Sequence, residues 1–133
     1  MKITRFEDFE AWKASRDLSR DVHAVTSSRG FRFEAGLRNQ MRRAASSAMA
    51  NIAEGFNSGT DAEFARFLRI SRKSATEVQS HLYSALDARH LSQEDFDRLY
   101  GRAEDVKRLI GGFVRYLTSS KKKEQIDSRP TQD

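Results

Sequence analysis

Apolar residues recur at steps of three and four along most of this chain, and no stretch of it alternates with a period of two. Ala11, Ala14, Leu18, Val22 and Val25 fall on one stripe, which predicts a first helix from about Phe6 to Ser28. Thr4 with Glu7 reads as a capping box before it, and Gly30 follows its end. Phe9 and Trp12 point away from the stripe and predict a second neighbour. A second helix is expected from about Glu34 to Phe56, with Leu37, Met41, Ala44, Ala45, Ala48, Met49, Ile52 and Phe56 on its main stripe. Its reverse side is small (Ser46, Ser47, Ala50, Ala53), so it is expected at the centre of the assembly, enclosed by other backbones.

Gly55, Asn57, Ser58 and Gly59 break the pattern. Thr60 and Glu63 form the clearest capping box in the chain. The third helix then extends to about Arg89, with Phe64, Phe67, Leu68, Ser71, Ala75, Val78, Leu82 and Leu86 facing inward. Ser92 opens a fourth, whose Phe96, Leu99, Ala103, Val106, Ile110, Phe113 and Leu117 make a bundle seam. Gly111 and Gly112 inside it each cost roughly 1 kcal/mol relative to alanine, and a close helix crossing is the expected reason. The pattern as a whole predicts an all-α, antiparallel up-down four-helix bundle over residues 1–118. Residues 119–133, SSKKKEQIDSRPTQD, lack periodicity and are expected to be a disordered basic tail. Phe9, Trp12, Ile70, Leu109 and Tyr116 are apolar beyond what one bundle needs, which argues for self-association.

Composition narrows the classes. A length of 133 residues suits one domain, and no apolar run approaches the ~18 residues of a membrane span. The opening MKITRFEDFEAWK has acids where a secretion signal needs an apolar core. The absence of cysteine excludes disulfides and thiolate metal sites. A cytoplasmic protein without membrane contact is the expectation. The net charge is +5, and the excess sits mainly mid-chain: residues 30–59 carry four cations against two anions, residues 92–119 five of each.

The charge pattern offers the candidate chemistry. Ala35 to Ala53 contains Arg38, Arg42 and Arg43 and no acid; Phe64 to Thr76 contains Arg66, Arg69, Arg72 and Lys73 and no acid. On the third helix Arg66, Arg69 and Lys73 cluster opposite the apolar stripe, with Arg72 on its flank. Cations at this spacing can contact successive phosphates along a nucleic-acid backbone, RNA or DNA. The competing reading, with equal weight, is a solvated face, or pairing with the acids of the fourth helix (Glu94, Asp95, Asp97, Glu104, Asp105). Arg43 and the tail residues Lys121, Lys122 and Lys123 are secondary candidates for phosphate contact. Arg38 and Arg42 edge an apolar stripe, where a packing or interface role is favoured. Glu54 is placed to hold an arginine of a neighbouring helix or subunit. Trp12 and Arg16, one turn apart, can stack as ring and cation.

Catalytic templates fail. A di-iron site needs two Glu-x-x-His pairs, whereas here Glu77 and His81 are four apart and no second pair exists. Gly55-Phe56-Asn57-Ser58-Gly59 lacks the Lys-Ser/Thr ending of a phosphate loop, and Ser46 and Ser47 have no histidine partner by spacing. A non-enzyme without metal or cofactor is expected.

Several runs carry a resemblance: Phe6-Glu7-Asp8-Phe9 with Trp12; Gly36-Leu37 with Gln40, Arg42-Arg43-Ala44-Ala45 and Ser47; Asn51-Ile52-Ala53-Glu54-Gly55; Glu63-Phe64-x-Arg66-Phe67-Leu68; then Ser74 and Glu77. Over residues 5–118 the chain resembles the four-helix-bundle proteins encoded in intervening sequences of bacterial 23S ribosomal RNA genes. That resemblance implies a four-helix protomer in a ring-like homopentamer and no known catalysis. The family is also similar to accessory proteins of diversity-generating retroelements, which bind nucleic acid and a reverse transcriptase, so a polymerase-type partner is a further implication. Two positions depart from the family pattern. Ser47-Ala48-Met49-Ala50 lacks the proline usual before the Asn-Ile-Ala-Glu-Gly run, and Lys73 stands where a glycine often precedes the serine. The function expected is a homo-oligomer binding structured nucleic acid, RNA foremost; the alternative is a protein-interaction scaffold without nucleic-acid contact.

Overall fold

The computed structural model describes residues 3–119. Its helices are α1 Glu10–Thr26, α2 Ala35–Phe56, α3 Asp61–Asp87 and α4 Gln93–Leu117. Short 3-10 turns at Phe6–Asp8 and Arg29–Phe31 precede α1 and α2. Consecutive helices pack on each other, most extensively α2 on α3, and α4 closes back on α1. The connections at residues 27–34, 57–60 and 88–92 are too short to return along the bundle, so neighbours are antiparallel. The predicted seams form the core: Leu18, Val22, Met41, Ile52, Phe64, Leu82, Leu99 and Ile110 are fully buried.

The N-terminus departs from expectation. No capping box forms at Thr4 and Glu7; Glu7 pairs instead with Arg5 at 3.1 Å. Phe9 is the N-cap residue of α1, extended and without a side-chain cap. Burial of its ring explains this. Phe9 is not a surplus surface residue but 5% exposed, edge-on to Phe56, Phe64 and Phe113 with centroids 5.2, 5.3 and 4.7 Å away. Each such pair contributes about 0.5–1.5 kcal/mol beyond its buried area, more than a capping box at an exposed end offers. Trp12 is half-buried, its ring 5.2 Å from Phe6 and 5.8 Å from the Arg16 guanidinium. Ile70, Leu109 and Tyr116 are likewise half-buried.

The helix α2 runs unbroken through Ser47-Ala48-Met49-Ala50, as its lack of proline allows. Within the described residues it packs mainly on α1 and α3, with the turn Phe6–Asp8 beside it, and it is not enclosed, for Ser46 and Ala50 are exposed and Ser47 and Ala53 half-buried. Small hydroxyls join it to α3. Ser71 Oγ donates to the Ala48 carbonyl at 2.5 Å. Asn51 Nδ2 donates to the Ser47 carbonyl and to Ser47 Oγ, and the Ser47 and Ser74 hydroxyls share a hydrogen bond of 2.9 Å. The end of the Asn51–Gly55 run is steric: a Cβ on Gly55 would stand 2.7 Å from Phe67 Cβ and 2.9 Å from Phe64 Cδ1. Gly30 has a similar duty rather than a capping one, since a side chain there would collide with the His90 carbonyl.

The ends of α3 and α4 follow from the sequence. Thr60 accepts from the Glu63 amide and Ser92 from the Asp95 amide, both at 3.1 Å. The helix α3 closes with the Arg89 amide on the Leu86 carbonyl and the His90 amide on the Ala85 carbonyl, which puts Arg89 at φ 64° in a Schellman turn.

Candidate nucleic-acid interface

The antiparallel pairing of α3 and α4 sets the N-terminal half of α3 beside the C-terminal half of α4. The first carries Arg66, Arg69, Arg72 and Lys73; the second carries Lys107, Arg108 and Arg115. Arg69, Arg72, Lys73 and Thr76 line a shallow depression of about 250 Å³. Arg72 also lines the adjoining cleft, of about 370 Å³, with Glu104, Lys107, Arg108, Gly111 and Arg115. The two depressions share Arg72 and make one basic surface.

The acids of α4 pair with none of the α3 cations among the described residues, and take Lys107 and Arg108 of their own helix instead. Asp95 pairs with Arg98, Asp105 with Arg108, and Glu104 with Lys107. Asp97 accepts from Gln93. Toward the other side of the bundle, Arg98 and Arg102 both reach Asp21 of α1. The reason is helical spacing: acids three residues before a cation satisfy it on their own helix before they can cross a groove. Among the described residues Arg69, Arg72, Lys73 and Arg115 form no ion pair, and all four are exposed.

Arg66 differs from its neighbours. Glu63, one residue before the acid-free segment, takes Arg66 Nε at 2.7 Å and Nη2 at 3.3 Å, and the guanidinium lies 4.6 Å from the Phe67 ring centroid. The hydrogen bond from Arg66 holds the Glu63 carboxyl below its ordinary range and raises Arg66 in return. Its charge is therefore partly compensated, unlike that of Arg69, Arg72 and Lys73. Glu104, in the cleft, is also held below the usual carboxylate range, chiefly by the hydrogen bond from buried Gln79 and then by Lys107.

The remaining candidates lie apart. Arg43 is exposed on α2 and lines neither depression. Arg42 meets no acid; Nε donates to Thr26 Oγ1 and Nη2 to Ser27 Oγ, both at 2.9 Å, so the guanidinium ties α2 to the negative end of α1. Arg38 has its Nε enclosed without an acceptor. Glu54 is exposed and pairs with no described cation. Lys121, Lys122 and Lys123 lie outside the described residues. No three metal-binding side chains converge among the described residues, and no described helix is long and apolar enough to cross a membrane.

Gly111 and Gly112 do not mark a close helix crossing. A Cβ on Gly111 would meet only Arg115 Nη1 at 3.6 Å and Arg72 Nη1 at 3.8 Å, and one on Gly112 only Arg115 Nη2 at 3.8 Å. The role of α4 in the basic surface was hidden by averaging its charge. Five cations and five anions cancel over residues 92–119, yet every acid lies at or before Asp105. That segregation was the available signal.

No curated protein is significantly similar to the chain. A solved structure from Bacteroides thetaiotaomicron, described as a protein of unknown function from the S23 ribosomal protein family, superposes with a TM-score of 0.73. The match covers 79% of this chain and 98% of that one at 18% identity, which establishes a shared fold. Residues 7–112 match the sequence pattern of the 23S rRNA-intervening sequence proteins. With a match over most of its length and the same helical architecture, the chain belongs to the 23S rRNA-intervening sequence protein family.

Proposed function

We propose that this protein is a non-enzymatic, cytoplasmic homo-oligomer whose α3 surface binds structured nucleic acid, RNA foremost. One observation carries the reading: Arg69, Arg72 and Lys73 sit together, exposed, without an ion pair among the described residues. Unpaired cations on one face raise the local potential and exchange condensed counterions for phosphate contacts. Arg115 extends the face across the groove, and Arg66, Arg43 and Lys121–Lys123 are secondary contributors. The association of the family with ribosomal RNA genes favours RNA, and self-assembly would repeat the face and add avidity. Support for assembly comes from the half-buried Trp12, Ile70, Leu109 and Tyr116, the open small-residue side of α2, and Phe33 at 83% exposure. A homopentamer is the stoichiometry that the family resemblance implies.

The test is fluorescence anisotropy with a labelled structured RNA and a DNA duplex of equal length, across a salt series. Submicromolar binding that weakens steeply with salt is expected, at a slope in log–log form of about −0.9 per duplex phosphate neutralised. The variant with Arg69, Arg72 and Lys73 all changed to Glu should lose binding while light scattering reports an unchanged oligomer. Loss of the oligomer in that variant would place these residues at a subunit interface. No binding by the wild-type protein at low salt would overturn the reading in favour of a protein partner of polymerase type.

A further inference from the structure

We infer that the cleft over Gly111, between α3 and α4, is a seat for one phosphoryl group held by the guanidiniums of Arg72 and Arg115. The source of that group, a nucleic-acid backbone, rests on the reading above; the seat itself does not.

Glycine is a poor choice inside a helix; α4 carries Gly101, Gly111 and Gly112, and an added Cβ on Gly101 would meet nothing within 4 Å. Gly111 is buried, yet its missing side chain makes room for no backbone and no apolar neighbour. The only atoms near the position of an added Cβ are the two Nη1 nitrogens, both within 4 Å of that single point. The glycine thus lowers the surface of α4 where two guanidiniums converge. Both carry a full positive charge, and neither pairs with a carboxylate among the described residues. The other cations of α4 all have acids: Arg98 and Arg102 share Asp21, Lys107 has Glu104, and Arg108 has Asp105. Arg72 and Arg115 alone in the cleft have none among the described residues.

Glu104 is the one carboxylate lining the cleft, and it is engaged elsewhere. Its Oε1 accepts from Gln79 Nε2 at 3.0 Å and pairs with Lys107 Nζ at 3.6 Å; Gln79 Oε1 in turn accepts from Lys107 at 2.9 Å. This three-residue network holds the acid away from the two arginines. A tetrahedral oxyanion between two guanidiniums can take an N–H···O bond of about 2.8 Å from each, through different oxygens. The cleft volume of about 370 Å³ leaves space for the attached ester chain.

The full-length protein is titrated with inorganic phosphate while the Arg Nε–Hε resonances are followed by NMR, and separately with a structured RNA. Saturable shifts confined to Arg72 and Arg115 are expected in the phosphate arm. Arg115→Gln, an exposed side chain whose loss leaves the core untouched, should weaken phosphate binding by roughly tenfold or more. Arg20→Gln, which removes an equal charge from α1, should stay within about twofold of wild type. If Arg115→Gln also weakens RNA well beyond Arg20→Gln, the backbone is the source. If phosphate is seated but RNA does not bind, the seat stands, a small phosphate ester is its ligand, and the nucleic-acid reading fails. If RNA binds while phosphate shifts neither arginine and the two variants bind RNA alike, the seat is overturned and the nucleic-acid reading survives.

Discussion

At Gly55 and Gly111 the same residue type has opposite reasons, and a single methyl group separates them. The methyl of Gly55→Ala would meet Phe67 Cβ, an atom fixed to the α3 backbone, at 2.7 Å and Cδ1 of the fully buried Phe64 at 2.9 Å. Overpacking of this kind forces α2 and α3 apart at their turn, so the variant should lose about 1–3 kcal/mol in urea unfolding. The methyl of Gly111→Ala would meet only the flexible ends of Arg72 and Arg115 at ordinary contact distance. That variant should gain up to about 1 kcal/mol from helix propensity. Equal losses at both sites would mean that Gly111 does mark a close helix approach. The other family-specific residues have equally local reasons. Asn51 donates to Ser47 Oγ, which shares a hydrogen bond with the Ser74 hydroxyl across the α2–α3 seam, and Ile52 fills the core.

Charge acts at the scale of the helix. Along α3 the first turn supplies both the cap and the partner of Arg66: the Glu63 amide donates to Thr60 while the Glu63 carboxylate takes the guanidinium. Glu63→Gln keeps the cap and releases Arg66 to the basic face. Because exposed pairs are worth about 0.2–1 kcal/mol, RNA affinity should rise by roughly 1.4- to fivefold, with a steeper salt dependence. Unchanged affinity would exclude Arg66 from the contact surface. Between α3 and α4 the relevant group is Glu104, whose folded value lies below its ordinary one through the Gln79 hydrogen bond. A depressed carboxyl contributes stability that is present above its unfolded value and is lost as pH falls through its folded value. Carbon-detected NMR should find Glu104 titrating below the ordinary glutamate range, and Gln79→Leu should return it toward that range. The contribution is small, since the carboxylate is half-exposed.

For the whole molecule the deciding quantity is where unneutralised charge remains after the helices have paired. On α3 and α4 the local pairs engage Arg66, Arg98, Arg102, Arg108 and Lys107 and leave Arg69, Arg72, Lys73 and Arg115 without a described acid on one side of the bundle. Net charge alone would not predict this: the excess of +5 is mild. On the proposed reading, such a surface would bind in a salt-dependent, sequence-tolerant way, because exposed cations of this kind reach phosphates rather than base edges. The open side of α2 belongs to the same scale. A helix with Ser46 and Ala50 exposed can accept another backbone closely, so a second protomer there would complete the enclosure that its small residues imply. Light scattering of Ala50→Arg should show a smaller species than wild type if that side is buried in the oligomer.

The sequence by itself determined the four helices, their seams and the caps at Thr60 and Ser92, because those depend on periodicity and on residues three positions apart. It also carried the family resemblance and the cations of α3. Tertiary structure decided what depends on contacts between distant segments. Phe9 left the surface because three phenylalanines from α2, α3 and α4 meet there, which outweighed a locally sound capping box. Arg42 found hydroxyls at the end of α1 instead of an acid. The basic surface gained Arg115 because antiparallel packing brought the acid-free half of α4 beside the acid-free part of α3. Spacing along one helix is written in the chain; the pairing of two helix faces is set only when the core has chosen their rotation.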